Sequence, residues 1–309
     1  MDTKLFVRHQ PGGFFAVTDR ENIPSGSVFW VHAGTGTDGA GYGRNPDAPL
    51  ATLDYAVGLC TANKGDVIYL MPGHAENIAN GTGCVLDVAG VKVVGLGYGA
   101  LRPTLSLITA NTATISITAA NCWVENVLVV SNYLSVAAAI TLAATATGTT
   151  LKNVECRNTS VILGALIQVS IAALCSDVTI DGFRFNEIAA AGLTAPATNV
   201  ILCVGAADRF RFVNSRIYCF CTAAPVALSA AASVDITIEN IRLLNNETGA
   251  GLGIAAHNSS TGFVEDVTTV NLRNGVKGVT GTGLAVGARV NYSNAVNAYA
   301  GLFSYTIDS

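Results

Sequence analysis

Between residues 91 and 267 the chain repeats a short pattern of apolar and polar positions. The stretches are VKVVGL (91–96), CWVENV (122–127), TTLKNV (149–154), VTIDGF (178–183), ITIENI (236–241) and GFVEDV (262–267), with FRFVNS (210–215) as a looser member. The fifth residue of each is an anchor: Gly95, Asn126, Asn153, Gly182, Asn214, Asn240 and Asp266, at steps of 26 to 32 residues. Two residues before the anchors lie Val93, Val124, Leu151, Ile180, Phe212, Ile238 and Val264; one residue after lie Leu96, Val127, Val154, Phe183, Ser215, Ile241 and Val267. Polar residues alternate with these, among them Glu125, Lys152, Asp181, Glu239 and Glu265 before the anchor and Glu155, Arg184, Arg216 and Arg242 two after it. Alternation with period two predicts strands with one buried face. The phase slips at the anchor, so a sharp bend there keeps both flanking strands facing one interior. Gly, Asn and Asp are the residues that tolerate a left-handed backbone at such a bend. Strand, tight corner, strand and a longer return, repeated at this period, predict an all-β solenoid of stacked parallel coils.

The start of the chain completes the pattern. Residues 49–60, PLATLDYAVGLC, predict a short helix with Pro49 at its first position and Leu53, Val57 and Cys60 on one face. The segment VFWVHAGTGTDGAGYGRNPDAPLATLDYAVGLCTANKGDVIYLMPG (28–73) runs from a strand through a Gly/Asp-rich loop to Pro49, Thr52, Leu53 and Ala56. Gly65, Asp66, Ile68, Leu70, Pro72 and Gly73 then follow. Together with the asparagine corners, this resembles the right-handed parallel β-helix of the pectate-lyase-like superfamily, over roughly residues 28–275. The resemblance implies that the helix caps the first coil. It leaves activity open, because one fold hosts many functions. Residues 1–27, with Pro11-Gly12-Gly13 and Pro24, read as an extended arm, and 276–309 as an irregular last coil or cap.

The returns break the alternation. LSVAAAITLAATAT (134–147), VILGALIQVSIAALC (161–175), AAAGLTAPATNVILCVGA (189–206) and TAAPVALSAAASVD (222–235) are apolar or small on both faces, which implies burial on both. Self-association along one side of the solenoid is therefore expected, as a trimer with parallel axes or as a dimer. Composition agrees: 50% of residues are hydrophobic and only 12% charged, and the formal net charge of −4 offers no general attraction for nucleic acid or membrane. No basic-then-apolar leader opens the sequence and no apolar run is long enough to span a bilayer. The eight cysteines show no zinc spacing and read as buried free thiols suited to a reducing cytoplasm.

Candidate chemistry is sparse. His74 and Glu76, two apart after Pro72-Gly73, share a face and read as part of a scaffold corner rather than an acid/base pair. GTGTDG (34–39) matches a dinucleotide fingerprint, but AGYGRNPDAP follows it where a helix would have to start. An outward acidic column, Glu125, Asp181, Glu239 and Glu265, is interrupted by Lys152 and Val213. Asp181 with Arg184, and Glu239 with Arg242, are spaced for corner salt bridges. The most site-like feature is Arg184, Arg216 and Arg242 at one repeat position on successive coils, a possible contact for an anion or an acidic partner. No catalytic residue, cofactor or metal site is expected.

Two functions remain in view. The first is a virion structural protein, similar to the β-helix structural proteins of tailed phages: a trimeric head decoration or cement protein. It would be assembled in the host cytoplasm and dock on capsid or other virion protein through the arm. The second is a carbohydrate-binding or carbohydrate-cleaving β-helix, a tailspike depolymerase or polysaccharide lyase, using the acidic and arginine columns as a groove.

Overall fold

The structure is a computed structural model. It describes residues 26–160, 163–187, 197–245, 253–269, 284–285 and 290 in full, and the backbone alone of 6–10, 13–17, 270–271, 279–280, 286 and 291–294. The chain is a parallel β-solenoid with three faces. Face 1 stacks the strands that enter the anchor corner, such as Val67–Leu70, Trp123–Glu125, Thr179–Asp181 and Arg211–Val213. Face 2 stacks those that leave it, such as Leu128–Ser131, Glu155–Asn158, Arg184–Asn186 and Arg216–Cys219. In Ile236–Asn245 and Gly262–Asn271 the strand runs through the corner unbroken, so faces 1 and 2 form one 17-stranded sheet. Face 3 is a separate eight-stranded sheet of return strands, including Ile115–Ile117, Ile140–Leu142, Ile167–Ile171, Asn199–Cys203, Val226–Leu228 and Ile254–Ala256. Among the described residues, antiparallel pairing joins Phe6–Gln10 to Gly13–Val17 in the predicted arm and, as an isolated bridge, Asn45 to Ala48.

The repeat positions become columns. Val93, Val124, Leu151, Ile180, Phe212, Ile238 and Val264 are register partners from coil to coil and all are buried. The irregular member FRFVNS has a physical account. Ser215 occupies the column of Val127, Val154 and Phe183, yet it is fully buried. Its hydroxyl donates to the Val213 carbonyl and accepts from the Phe183 N–H, so the polar group is satisfied inside the core.

The corners explain the anchors. Asn126, Asn153, Gly182, Asn214, Asn240 and Asp266 all have φ between 47° and 71°. Gly95 differs from the other six. It ends the strand Lys92–Gly95 without a left-handed turn, and the bend passes to a loop through Gly97 and Gly99, at φ 93° and 60°. Glycine is needed at 95 for close approach instead, since a Cβ there would lie 2.2 Å from the Asn126 carbonyl oxygen. Side chains bind the corners together: Asn126 Nδ2 donates to the Gly95 and Gly97 carbonyls, Asn214 Nδ2 to Asp181 Oδ1, and Asn240 Nδ2 to Asn214 Oδ1.

The helix α1 spans Leu53–Gly58, with Thr52 as its N-cap, so Pro49 lies ahead of the cap and not at the first helical position. Leu53, Ala56 and Val57 are buried against the first coils, while Cys60 is half-buried.

Face 3 shows which small and apolar residues of the returns point outward. Its outward positions run Val85, Ser116, Thr141, Ser170, Leu202, Ala227 and Ala255, and the last three form a small apolar cluster with Ala224 separate from the lumen. Much of the alanine excess is spent inside: Ala113, Ala139, Ala146, Ala165, Ala197 and Ala207 are buried in the main core, where small side chains fit. Residues 161–162 and 189–196 of the returns lie outside the described residues.

Candidate anion-binding face

His74 and Glu76 are both buried, at 1% and 6% exposure, which removes them from any open site. His74 Nδ1 accepts from the Ala33 N–H at 3.1 Å, so the ring proton sits on Nε2, 3.2 Å from Glu76 Oε2. The same carboxylate oxygen accepts from the Leu53 N–H at 2.9 Å, at the start of α1. The pair therefore ties the loop after the first strand to the cap helix. Asp38 of GTGTDG accepts from the Ala51 and Thr52 N–H groups and the Thr52 hydroxyl. The donors ahead of the helix are thus occupied by the chain itself, and the glycine-rich loop folds over the cap instead of cradling a phosphate.

The acidic column of face 1 stands in the expected register, Glu125, Lys152, Asp181, Val213, Glu239 and Glu265. It is partly neutralised. Glu125 lies 3.8 Å from Lys92 Nζ and 3.9 Å from Lys152 Nζ and accepts from the Trp123 indole N–H. The two ammonium groups also stand over the Trp123 ring, at 4.7 and 5.5 Å from its centroid. The outward tryptophan is thus part of a charge ladder and not a bare platform.

Face 2 carries the arginines. Glu155, Arg184, Arg216, Arg242 and Thr268 are successive register partners on its outward side. Neighbouring strands lie about 4.8 Å apart, so like charges on adjacent coils repel by roughly 1–3 kcal/mol unless an anion lies between them. The predicted corner bridges are absent: Asp181 accepts from Asn214, and Arg242 pairs with Asp266 at 3.4 Å, also donating to the Asp266 carbonyl. Arg184 and Arg216 are exposed, and their guanidinium groups have no hydrogen-bond or ion-pair partner among the described residues.

Around them is an open depression of about 790 Å³. A second outward column, Arg157, Asn186, Tyr218 and Leu244, lines it beside the arginines. Tyr218 is braced edge-to-face on Phe220, with centroids 5.5 Å apart. At the near end the one carboxylate, Glu155, is already clamped by Arg102 at 2.7 Å and Arg157 at 2.5 Å. Arg102 also donates to the Val127 and Asn153 carbonyls, and partial burial holds its guanidinium below the ordinary arginine range. Sequence reasoning missed Arg157 and Tyr218, although each follows a repeat position by two and so shares its side of the strand. Arg102 sits in an irregular loop, where periodicity gives no signal.

No alternative chemistry competes among the described residues. All eight thiols are free, and seven of them are buried. Burial pushes Cys122 and Cys175 up to about 11 and Cys60 and Cys203 up to about 12, which keeps them protonated and unreactive near neutrality. Among the described residues, no group of three or more His, Cys, Asp or Glu is placed to hold a metal ion.

No family model and no curated protein matches the chain. Among solved structures it is similar to a rhamnogalacturonan lyase, with 13% identity and a TM-score of 0.41 over 79% of this chain and 74% of the other. It is also similar to the GH136 lacto-N-biosidase from Eubacterium ramulus, with 10% identity and a TM-score of 0.37 over 87% and 68%.

Proposed function

We propose that this solenoid is a non-enzymatic binding protein that holds an acidic glycan along face 2. The observation that carries the reading is the in-register pair Arg184 and Arg216, two exposed guanidiniums without internal partners in an open depression. An extended ligand suits the site because the charges lie along the solenoid axis. A sugar chain suits it because Tyr218 and Leu244 flank the charges with an aromatic ring and an aliphatic side chain. Binding without hydrolysis is favoured because the depression holds one carboxylate, Glu155, and two arginines engage it, leaving no free carboxylate pair.

The test is titration of the full chain with a polyuronate oligosaccharide and with a neutral glucan. The acidic oligomer should bind, more weakly as salt rises. Arg184→Gln and Arg216→Gln should each cost about three- to tenfold in affinity. Equal binding of both glycans, or full affinity in the double variant, contradicts the reading.

A second reading, a self-associating decoration protein on a tailed-phage particle, draws on three exposed apolar side chains. Leu174, Val204 and Val234 stand 72%, 56% and 57% exposed at the corners that follow the face 3 strands. Self-association there would leave face 2 open, so the two readings are compatible.

A further inference from the structure

The anion-binding reading of face 2 treats the arginines as a ladder, but their surroundings are unequal. Arg242 is held by Asp266, and Arg157 and Arg102 share Glu155. The charge left over is concentrated on Arg184 and Arg216, which are register partners on adjacent strands. Beyond them the column passes to the clamped Glu155 on one side and to Arg242 and Thr268 on the other. Two free guanidiniums one strand spacing apart call for two negative charges at a single point, with enough oxygens to accept from both forks.

We propose that Arg184 and Arg216 together form a discrete site for a phosphomonoester dianion carried on a sugar, with Tyr218 beside it to receive the ring. A carboxylate supplies one charge and two oxygens, so it satisfies one fork and leaves the second guanidinium uncompensated. A sulfate ester supplies three terminal oxygens but one charge. A phosphomonoester supplies three oxygens and, above its second pKa of about 6, nearly two charges. Charge count and oxygen count therefore both favour it. The proposal rests on face 2 binding anions at all and sharpens which anion it selects.

The ligand should then bring its own pH dependence. The groups facing the pair are the Glu155 carboxylate, the guanidiniums of Arg102, Arg157 and Arg242, and the Tyr218 phenol. No imidazole lines the depression, and imidazole is the side chain that ordinarily changes charge between pH 5 and 8. At pH 5 only about one-tenth of a phosphomonoester is dianionic. Apparent affinity for the phosphomonoester should accordingly fall about tenfold from pH 7.5 to pH 5, while that for a sulfate ester or a carboxylate stays level.

The experiment is calorimetric titration of the full chain with a hexose 6-phosphate, the matching hexose 6-sulfate, a hexuronate and inorganic phosphate, at pH 5 and pH 7.5. The expected result is tightest binding of the hexose phosphate at pH 7.5, about tenfold weaker at pH 5, and loss in either Arg184→Gln or Arg216→Gln. Inorganic phosphate, whose second ionisation lies above that of an ester, should weaken more steeply toward pH 5 and bind with lower affinity at pH 7.5, because it leaves Tyr218 uncovered. Comparable binding of all the anions at both pH values overturns the dianion site and leaves the broader anion reading standing. Absence of binding by every anion, polyuronate included, overturns both. Inorganic phosphate binding as tightly as the hexose phosphate overturns the role given to Tyr218.

Discussion

Asn214 shows how one residue type becomes fixed at a corner. Its φ of 53° is a conformation that side chains other than Asn, Asp and Gly adopt at a cost of about 1–2 kcal/mol. Its amide also links three coils, donating to Asp181 and accepting from Asn240. These contributions can be separated. Asn214→Ala should destabilise by about 2–4 kcal/mol, combining left-handed strain with two lost hydrogen bonds, while Asn214→Gly keeps the conformation and should cost about 1–2 kcal/mol. Chemical denaturation of both variants checks this, and equal losses would mean that the backbone conformation contributes nothing. The corner was legible in the sequence because Asn, Asp and Gly recur at one phase of a two-residue alternation. Gly95 shares the phase but not the conformation. Glycine permits both a left-handed turn and close backbone approach, and the sequence alone does not distinguish the two.

At the level of elements, the strands of faces 1 and 2 were readable because one side meets the lumen and the other meets water. The return strands were harder. Their small residues serve the interior as often as the surface, so Ala139 and Ala227 look alike in sequence yet belong to different clusters. The cap helix was readable in type but began four residues late relative to the expectation from Pro49, because Asp38 and Glu76 supply the acceptors that set its start. The exposed side chains of Leu174, Val204 and Val234 carry the expectation of self-association. The full chain should show the mass of an oligomer by light scattering, and Leu174→Glu with Val204→Glu should shift it toward the monomer. Both side chains face water, so the fold should survive the change. A monomer at every concentration would remove the decoration-protein reading.

For the molecule as a whole, a solenoid turns a sequence period into a spatial repeat. A charge that recurs every 26 to 32 residues becomes a row one strand spacing apart on the surface. The arginine column was visible in the sequence for this reason. What surrounds it was not, because Arg102 and Asp266 reach the column from a loop and a corner of other coils, and they decide which guanidiniums remain free. The central claim is that the free pair on face 2, and not the acidic face 1 or the return face, holds the ligand. The most direct measurement is a crystal structure of the full chain with a bound acidic oligosaccharide. The account predicts an anionic group against Arg184 and Arg216 with a sugar ring beside Tyr218. A ligand seated along Glu239 and Glu265, or on face 3, with Arg184 and Arg216 left in solvent, would contradict it.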